Sequence, residues 1–143
     1  MICYIDTSVV LRSIFGHREQ FQNWKEIKKG LSSELLTVEC HRVIDRYRLQ
    51  GELDDKQVSE IKVSLTAFLR GLTLYQITGK ILERASLPFP TVIGTLDAIH
   101  LSTALRWKEK HKEELHILSF DEQLRIAAQA MGLKVLPEVK ASD

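Results

Sequence analysis

The chain begins MICYIDTSVV, and its first charged residue, Asp6, directly follows an apolar run. Ile2–Ile5 has the composition of a strand that is buried on both faces. A carboxylate at the end of such a strand costs free energy unless a helix N-terminus, a salt bridge or a metal ion compensates it. The hydroxyl residues Thr7 and Ser8 follow at once, as at the start of a helix. Asp6 is therefore the first side chain to consider for chemistry.

Three further carboxylates lie in similar surroundings. Asp97 (TLDAIH) and Asp121 (SFDEQL) stand near predicted helix starts, and Glu39 (LLTVECHRV) lies among apolar residues within a predicted helix. Each carboxylate has a structural explanation when taken alone: the helix dipole for Asp97 and Asp121, a helix cap for Asp6, and an ion pair with Arg42 for Glu39. If several converge on one cleft, their mutual repulsion would be severe, and a divalent cation would relieve it.

The chemistry of these side chains narrows the choice of metal. Oxygen ligands without a cluster of cysteines and histidines favour Mg²⁺ or Mn²⁺ over zinc. A site of this kind suits phosphoryl transfer or phosphodiester hydrolysis, because the metal activates a water molecule and neutralises charge on the phosphate.

Strand and helix patterns alternate along the chain, which predicts an α/β fold with a parallel sheet covered on both faces. In such sheets ligands bind outside the carboxyl ends of the strands, where Asp6 and Asp121 would lie. We predict strands at 2–5, 31–33, 72–78 and 116–120 and in KVLPEV (134–139). We predict helices at 7–15, 20–29, 33–51, 53–71, 95–111 and 121–132, with a proline-containing loop before the helix at 95.

Local signals mark several helix starts. Asp54 with Gln57 three residues later has the pattern of a capping box. Thr95 is the predicted N-cap of its helix. Ser119 and Glu122 form an S-x-x-E start for the last helix.

Composition limits the class of protein. The 143 residues are enough for one domain, predicted over 1–143, with 44% hydrophobic and 27% charged residues. A net charge of +1 means that nucleic-acid binding would depend on local patches. Two cysteines, Cys3 and Cys40, form neither a disulfide framework nor a zinc motif. We expect a cytoplasmic protein without a membrane segment or a secretory signal.

The motifs together resemble a PIN-domain nuclease, and more narrowly a VapC-type toxin ribonuclease of a type II toxin–antitoxin system. The resemblance covers nearly the whole chain, and its most specific parts are DAIHLSTAL and SFDEQL. It implies a three-layer α/β/α fold with a short central parallel sheet. It also implies a metal-dependent endoribonuclease that uses Mg²⁺ or Mn²⁺. The acidic metal site implied by the resemblance consists of Asp6, Glu39, Asp97 and Asp121.

The resemblance also suggests roles for residues near these carboxylates. Ser119 matches a hydroxyl position that supports the carboxylates by hydrogen bonding, and Thr7 and Ser8 match the hydroxyl positions after the first aspartate. Asp97 or Glu39 would help to deprotonate the attacking water. Glu34 is an alternative to Glu39, although the helix dipole explains a glutamate near a helix start.

Basic and aromatic residues are candidates for contacts with RNA. Arg42 and Arg46 share one side of the helix that carries Glu39, so they could bind phosphates or pair with surface acids such as Asp45. Trp24 and Trp107 could stack on bases, but burial is the more common role of tryptophan. For His100, three residues after Asp97, we favour a packed or hydrogen-bonded role over metal ligation.

The resemblance implies three partners: an RNA substrate, a cognate antitoxin and a second copy of the chain in a homodimer. The helices predicted at 7–15, 20–29 and 53–71 offer apolar residues either for core packing or for such partners. One alternative is a PIN nuclease that acts in RNA processing or DNA metabolism without an antitoxin. A phosphate-receiver signalling domain is disfavoured, because LTLYQIT does not end in an aspartate.

Overall fold

The computed structural model of the chain describes residues 1–138. Residues 139–143, which include the end of the predicted domain and Val139 of the last predicted strand, lie outside the described residues. In chain order the elements are β1 (Ile2–Ile5), α1 (Thr7–Ile14), a 3₁₀ turn (Trp24–Glu26), β2 (Lys29–Ser33), α2 (Leu35–Leu49), α3 (Asp55–Arg70), β3 (Leu72–Tyr75), α4 (Gly79–Ala85), α5 (Thr95–His111), β4 (His116–Leu118), α6 (Glu122–Ala130) and β5 (Lys134–Leu136).

The five strands form one parallel sheet in the order β3-β2-β1-β4-β5, so β1 is the central strand. The chain builds the sheet from β1 toward the β3 edge and then returns to add β4 on the other side of β1. Such a reversal creates a crevice at the carboxyl ends of the two strands beside it. Asp6 follows β1 and Ser119 follows β4, so both lie at this crevice.

Helices cover both faces of the sheet, which confirms the predicted three-layer α/β/α fold. Because side chains alternate along a strand, Cys3 and Ile5 of β1 pack against α1, α2 and α3. Tyr4 points to the opposite face and packs with α5 and α6. Central strand β1 thus contributes to both hydrophobic cores. Within residues 1–138, no helix combines the length and the apolar character that a membrane span requires.

The helix predicted at 20–29 is wrong. This segment holds only the short 3₁₀ turn, and Lys29 begins strand β2, which pairs with β1 and β3. Gly30, the residue after the predicted helix, lies inside that strand. A Cβ atom at this position would meet Leu72 Cδ2 at 2.7 Å and Ile5 Cδ1 at 3.1 Å. A larger residue there would have to displace the ends of the Leu72 and Ile5 side chains, and this contact is invisible in the local pattern.

Helix α4 is a further element that the pattern does not predict. Thr78 begins it, and its Oγ1 accepts a hydrogen bond from the Ile81 amide at 3.3 Å. The buried side chain of Ile81 and contacts with α5 hold this short helix in place. A helix of seven residues gives too short a periodic pattern to recognise in the sequence.

Helix caps agree only in part with the predictions. The capping box of Asp54 and Gln57 is confirmed, with its two hydrogen bonds at 2.8 and 3.0 Å. The N-cap of α5 is Gly94, so the prediction of Thr95 is wrong by one residue. The N-cap of α6 is Asp121, so the predicted start at Ser119 is also wrong. The hydroxyl of Ser119 is instead directed toward Asp6.

Candidate active site

Asp6 lies at the carboxyl end of β1 and is only 4% exposed. Its backbone amide donates to the carbonyl of Leu118 at 3.0 Å, which joins the ends of β1 and β4. Its Oδ2 atom accepts hydrogen bonds from Ser8 Oγ at 2.6 Å and Ser119 Oγ at 2.8 Å. The Ser8 amide makes a longer contact of 3.4 Å to the same oxygen as part of the cap of α1. Hydroxyl donors and the helix cap therefore compensate the buried carboxylate.

Glu39 projects from α2 toward the same end of the sheet, with 19% of its side chain exposed. Its Oε1 atom accepts a hydrogen bond from Thr7 Oγ1 at 2.9 Å and contacts Nε2 of His100. An ion pair between Glu39 and Arg42 is wrong as an explanation, because Arg42 pairs with Asp45. Residues from α1 and α5 thus hold the glutamate.

Asp121 is an exposed residue that follows β4 and caps α6. Its Oδ1 atom accepts a hydrogen bond from the Leu124 amide at 2.9 Å. Its own amide donates to Ser119 Oγ at 3.0 Å. Because Ser119 also donates to Asp6, this buried hydroxyl connects the backbone of one candidate ligand with the carboxylate of another.

Asp97 lies in the first turn of α5 and is partly buried. Burial is the main cause that raises the pKa of Asp97 from 3.8 to about 6. The negative charges of Asp121, Asp6 and Glu39 raise this pKa further, while His100 opposes the shift. The structure therefore brings the four predicted carboxylates into one electrostatic neighbourhood.

In three of these carboxylates the hydrogen bonds fall on one oxygen only. The oxygens that accept them are Asp6 Oδ2, Glu39 Oε1 and Asp121 Oδ1. In the part of the chain that the structure describes, the second oxygen of each of these three groups accepts no hydrogen bond. This division leaves one oxygen of each carboxylate for a ligand from outside the chain.

The donor set fits a hard divalent cation in its chemistry, because it contains only carboxylate oxygens and concentrates negative charge. Burial first, and the neighbouring negative charges second, raise the pKa of Asp97 and so disfavour its ionised form. As placed, no three His, Cys, Asp or Glu side chains within residues 1–138 are arranged to hold a metal ion. The fit to a divalent cation therefore rests on the negative charge and the oxygen donors of the site, and not on a ready-made ligand geometry.

His100 is fully buried beside these carboxylates, as a packed and hydrogen-bonded histidine. Its Nδ1 atom is 2.7 Å from the hydroxyl of Tyr4, and its Nε2 atom contacts Glu39. Burial lowers the pKa of His100, but the hydrogen bond and charge of Glu39, with Asp6 and Asp97, outweigh burial and raise it. The sequence offers no signal for the contact with Tyr4, which lies 96 residues away along the chain.

Arg42 and Arg46 lie exposed on α2. Arg42 forms an ion pair with Asp45, one of the two roles considered for it. The guanidinium of Arg46 lies 5.6 Å from the centre of the Tyr47 ring. Exposed ion pairs such as that of Arg42 typically contribute no more than about 1 kcal/mol to stability.

Glu34 and the two tryptophans have structural partners. Glu34 Oε1 accepts a hydrogen bond from the Ile77 amide at 3.0 Å, which fixes the segment after β3. Trp107 is buried and donates to Tyr75 Oη at 3.1 Å. Trp24 packs edge-on against Phe68. Because Glu34 is directed toward the Ile77 amide, Glu39 is the glutamate of this segment that lies near the other carboxylates.

Comparison with protein families gives a match over most of the chain. A family described as "PIN domain" matches residues 3–130. A relative named "Ribonuclease VapC47", from Mycobacterium tuberculosis (strain CDC 1551 / Oshkosh), is 24% identical over 136 residues, which span 90% of this chain and 91% of the relative.

A solved structure has the same fold. It is described as "Crystal structure of VapBC2 from Rickettsia felis bound to a DNA fragment from their promoter". It is similar to this chain with a TM-score of 0.62 and 16% sequence identity, over 94% of this chain and 97% of the other.

Proposed function

The chain belongs to the PIN domain family, and from this premise we propose that it is a metal-dependent endoribonuclease, the toxin of a toxin–antitoxin pair. The observation that carries the proposal is the gathering of Asp6, Glu39, Asp97 and Asp121 at the carboxyl end of a parallel sheet. The ribonuclease name of one relative supports the reaction class. The name VapBC2 of the structural neighbour supports the toxin role.

The four carboxylates would hold Mg²⁺ or Mn²⁺ as the cofactor. When bound, the ion supplies positive charge that activates water and stabilises the phosphate as the bond breaks. Ser8 and Ser119 hold Asp6 through Oδ2, and Thr7 holds Glu39 through Oε1.

The RNA backbone requires cations at the edge of this site. Arg42 and Arg46 lie on the same helix as Glu39, three and seven residues further along. We propose that they bind phosphates beside the cleaved bond. Such contacts do not depend on base identity, so they orient the strand without selecting a sequence.

The test is cleavage of total RNA by the purified chain with Mg²⁺ or Mn²⁺. We expect discrete fragments that disappear with EDTA and in Asp6→Asn. The matched control is Asp55→Asn, which removes an exposed carboxylate from the first turn of α3 and should cleave like the wild type. Cleavage that persists in Asp6→Asn, or that resists EDTA, would contradict the metal-nuclease proposal.

The toxin role has its own test. A toxin of this kind would be encoded beside its antitoxin, so co-expression with the product of an adjacent small open reading frame should yield a complex in which RNA cleavage is inhibited. Failure to form such a complex, or a complex that cleaves RNA as fast as the free chain, would favour the alternative, a PIN nuclease of RNA processing or DNA metabolism. The predicted homodimer is checked by the solution mass of the purified chain.

A further inference from the structure

We propose that Tyr4 and His100 are positioning residues that fix the Glu39 carboxylate for metal binding. This inference rests on the proposed function, since it concerns the same site. Neither residue would touch the ion or the RNA. Both would act through Glu39, which His100 contacts directly and Tyr4 reaches through the imidazole ring.

The three side chains form one continuous path through the protein. Tyr4 comes from the central strand β1, His100 from α5 and Glu39 from α2. Tyr4 and His100 are both 0% exposed, and their rings meet edge to face with centroids 5.7 Å apart. The path therefore begins in the hydrophobic core and ends at the partly exposed carboxylate.

The direction of the hydrogen bonds from His100 to Tyr4 and Glu39 depends on which nitrogens of the imidazole ring carry hydrogens. Nε2 contacts Oε1 of the Glu39 carboxylate, which can only accept a hydrogen bond, so Nε2 carries a hydrogen. When the imidazole is neutral, the phenol donates to Nδ1 and the ring hydrogen must lie on Nε2. When the imidazole is charged, both nitrogens carry hydrogens and Nδ1 donates to the phenol oxygen. In either state Nε2 presents a hydrogen to Glu39 Oε1.

This fixed donor decides how the carboxylate is presented. Oε1 receives both the His100 ring and the hydroxyl of Thr7, which comes from a different element. Two donors from different directions resist rotation of the carboxylate group. Within residues 1–138, Oε2 accepts no hydrogen bond, so it is the atom presented to the cleft. Outer partners that orient a ligand in this way typically change metal affinity by about 10- to 100-fold.

A pair of substitutions at position 100 separates positioning from packing. His100→Leu and His100→Gln both fill the buried space, but only glutamine retains an N–H that can reach Glu39. The matched control is Ser102→Ala, because Ser102 is buried in the same helix and, among the described residues, its Oγ has no hydrogen-bond partner. The full-length chain is stripped of metal, its melting temperature is recorded, and Mn²⁺ binding is measured by titration calorimetry.

We expect His100→Leu to bind Mn²⁺ roughly tenfold or more weakly, with His100→Gln closer to the wild type and Ser102→Ala equal to it. A packing role alone would change the melting temperature without this order of affinities. Equal Mn²⁺ binding by His100→Leu and the wild type would overturn the inference.

Tyr4→Phe provides a second and milder variant. It retains the ring in the core and removes only the hydroxyl that meets Nδ1, so it decides the question if His100→Leu does not fold. We expect a smaller loss of Mn²⁺ affinity, about threefold to tenfold. Unchanged binding in a folded Tyr4→Phe protein would remove Tyr4 from the proposal. Wild-type protein that binds no Mn²⁺ would overturn the proposed function itself, whereas wild-type binding that no variant weakens overturns only this inference.

Discussion

Replacement of Asp97 by asparagine should stabilise the metal-free protein at neutral pH. Burial and the neighbouring carboxylates raise the pKa of Asp97 from 3.8 to about 6, so the folded state disfavours the ionised form. Asparagine has nearly the same shape and carries no charge. The substitution therefore removes the cost of burying a charged group, together with its repulsion from the neighbouring carboxylates.

The size and sign of this stability change follow from the upward shift of the Asp97 pKa. At 1.36 kcal/mol for each pH unit, the rise from 3.8 to about 6 corresponds to roughly 3 kcal/mol of lost stability above pH 6. Solvent screens a partly exposed group, so we expect Asp97→Asn to gain about 1 to 2 kcal/mol at pH 7.5. Toward pH 4 the unfolded state also begins to bind the proton, so the gain should shrink to a small fraction of its value at pH 7.5, and it should vanish well below pH 3.8. The stability of the wild type relative to the variant thus falls as the pH rises from 4 to above 6.

The assay is urea unfolding of the metal-free protein at pH 4 and pH 7.5. Asp55→Asn is the matched control, because Asp55 also lies in the first turn of a helix but is exposed. It isolates the small loss of a favourable interaction with the helix dipole, which both substitutions share. Mn²⁺ should then stabilise the wild type more than Asp97→Asn. No gain at pH 7.5, or an equal gain at both pH values, would refute the crowding of charge at this site.

The other predictions concern the supports of the site and its RNA contacts. Ser119→Ala removes the buried hydroxyl that donates to Asp6, so the free energy of unfolding in urea should fall by about 1 to 2 kcal/mol, and an unchanged value would contradict this. Glu34→Gln retains an oxygen for the Ile77 amide, so the rate of RNA cleavage should stay within about twofold of the wild type. A large loss of cleavage would indicate that Glu34, and not Glu39, is the glutamate of the metal site. Arg46→Ala should weaken RNA binding and lower the slope of log affinity against log salt concentration by about one. Binding titrations at several KCl concentrations measure this slope, and an unchanged slope would exclude a phosphate contact by Arg46.

Local signals account for the parts of the fold that the sequence predicts well. The strand at Ile2–Ile5 matches its predicted bounds, because a short apolar run ended by a carboxylate and a helix start is a complete local pattern. The start of α3 is equally local, since Asp54 and Gln57 satisfy each other within one turn. Alternation of such elements is enough to predict a parallel α/β sheet.

Contacts between distant segments explain what the sequence does not predict. The segment 20–29 has helical composition, but pairing of β2 with β1 and β3 outweighs that preference at its end. The partner of Glu39 is a similar case. The sequence offers Arg42 nearby, whereas the structure uses Thr7 and His100, which lie 32 and 61 residues away. The types of the site residues can therefore be predicted, but not the hydrogen bonds that hold them.

The position of β4 in the sheet has a consequence for protein synthesis. β4 lies beside the central strand β1, although it is made after β2, β3 and α5. A ribosome that translates this chain therefore completes β1, α2 and α5 before it supplies Ser119 and Asp121. Until then Asp6 lacks one of its hydroxyl donors and the acidic cluster lacks its fourth member. Assembly of the carboxylate cluster therefore waits for the late addition of β4 beside the central strand.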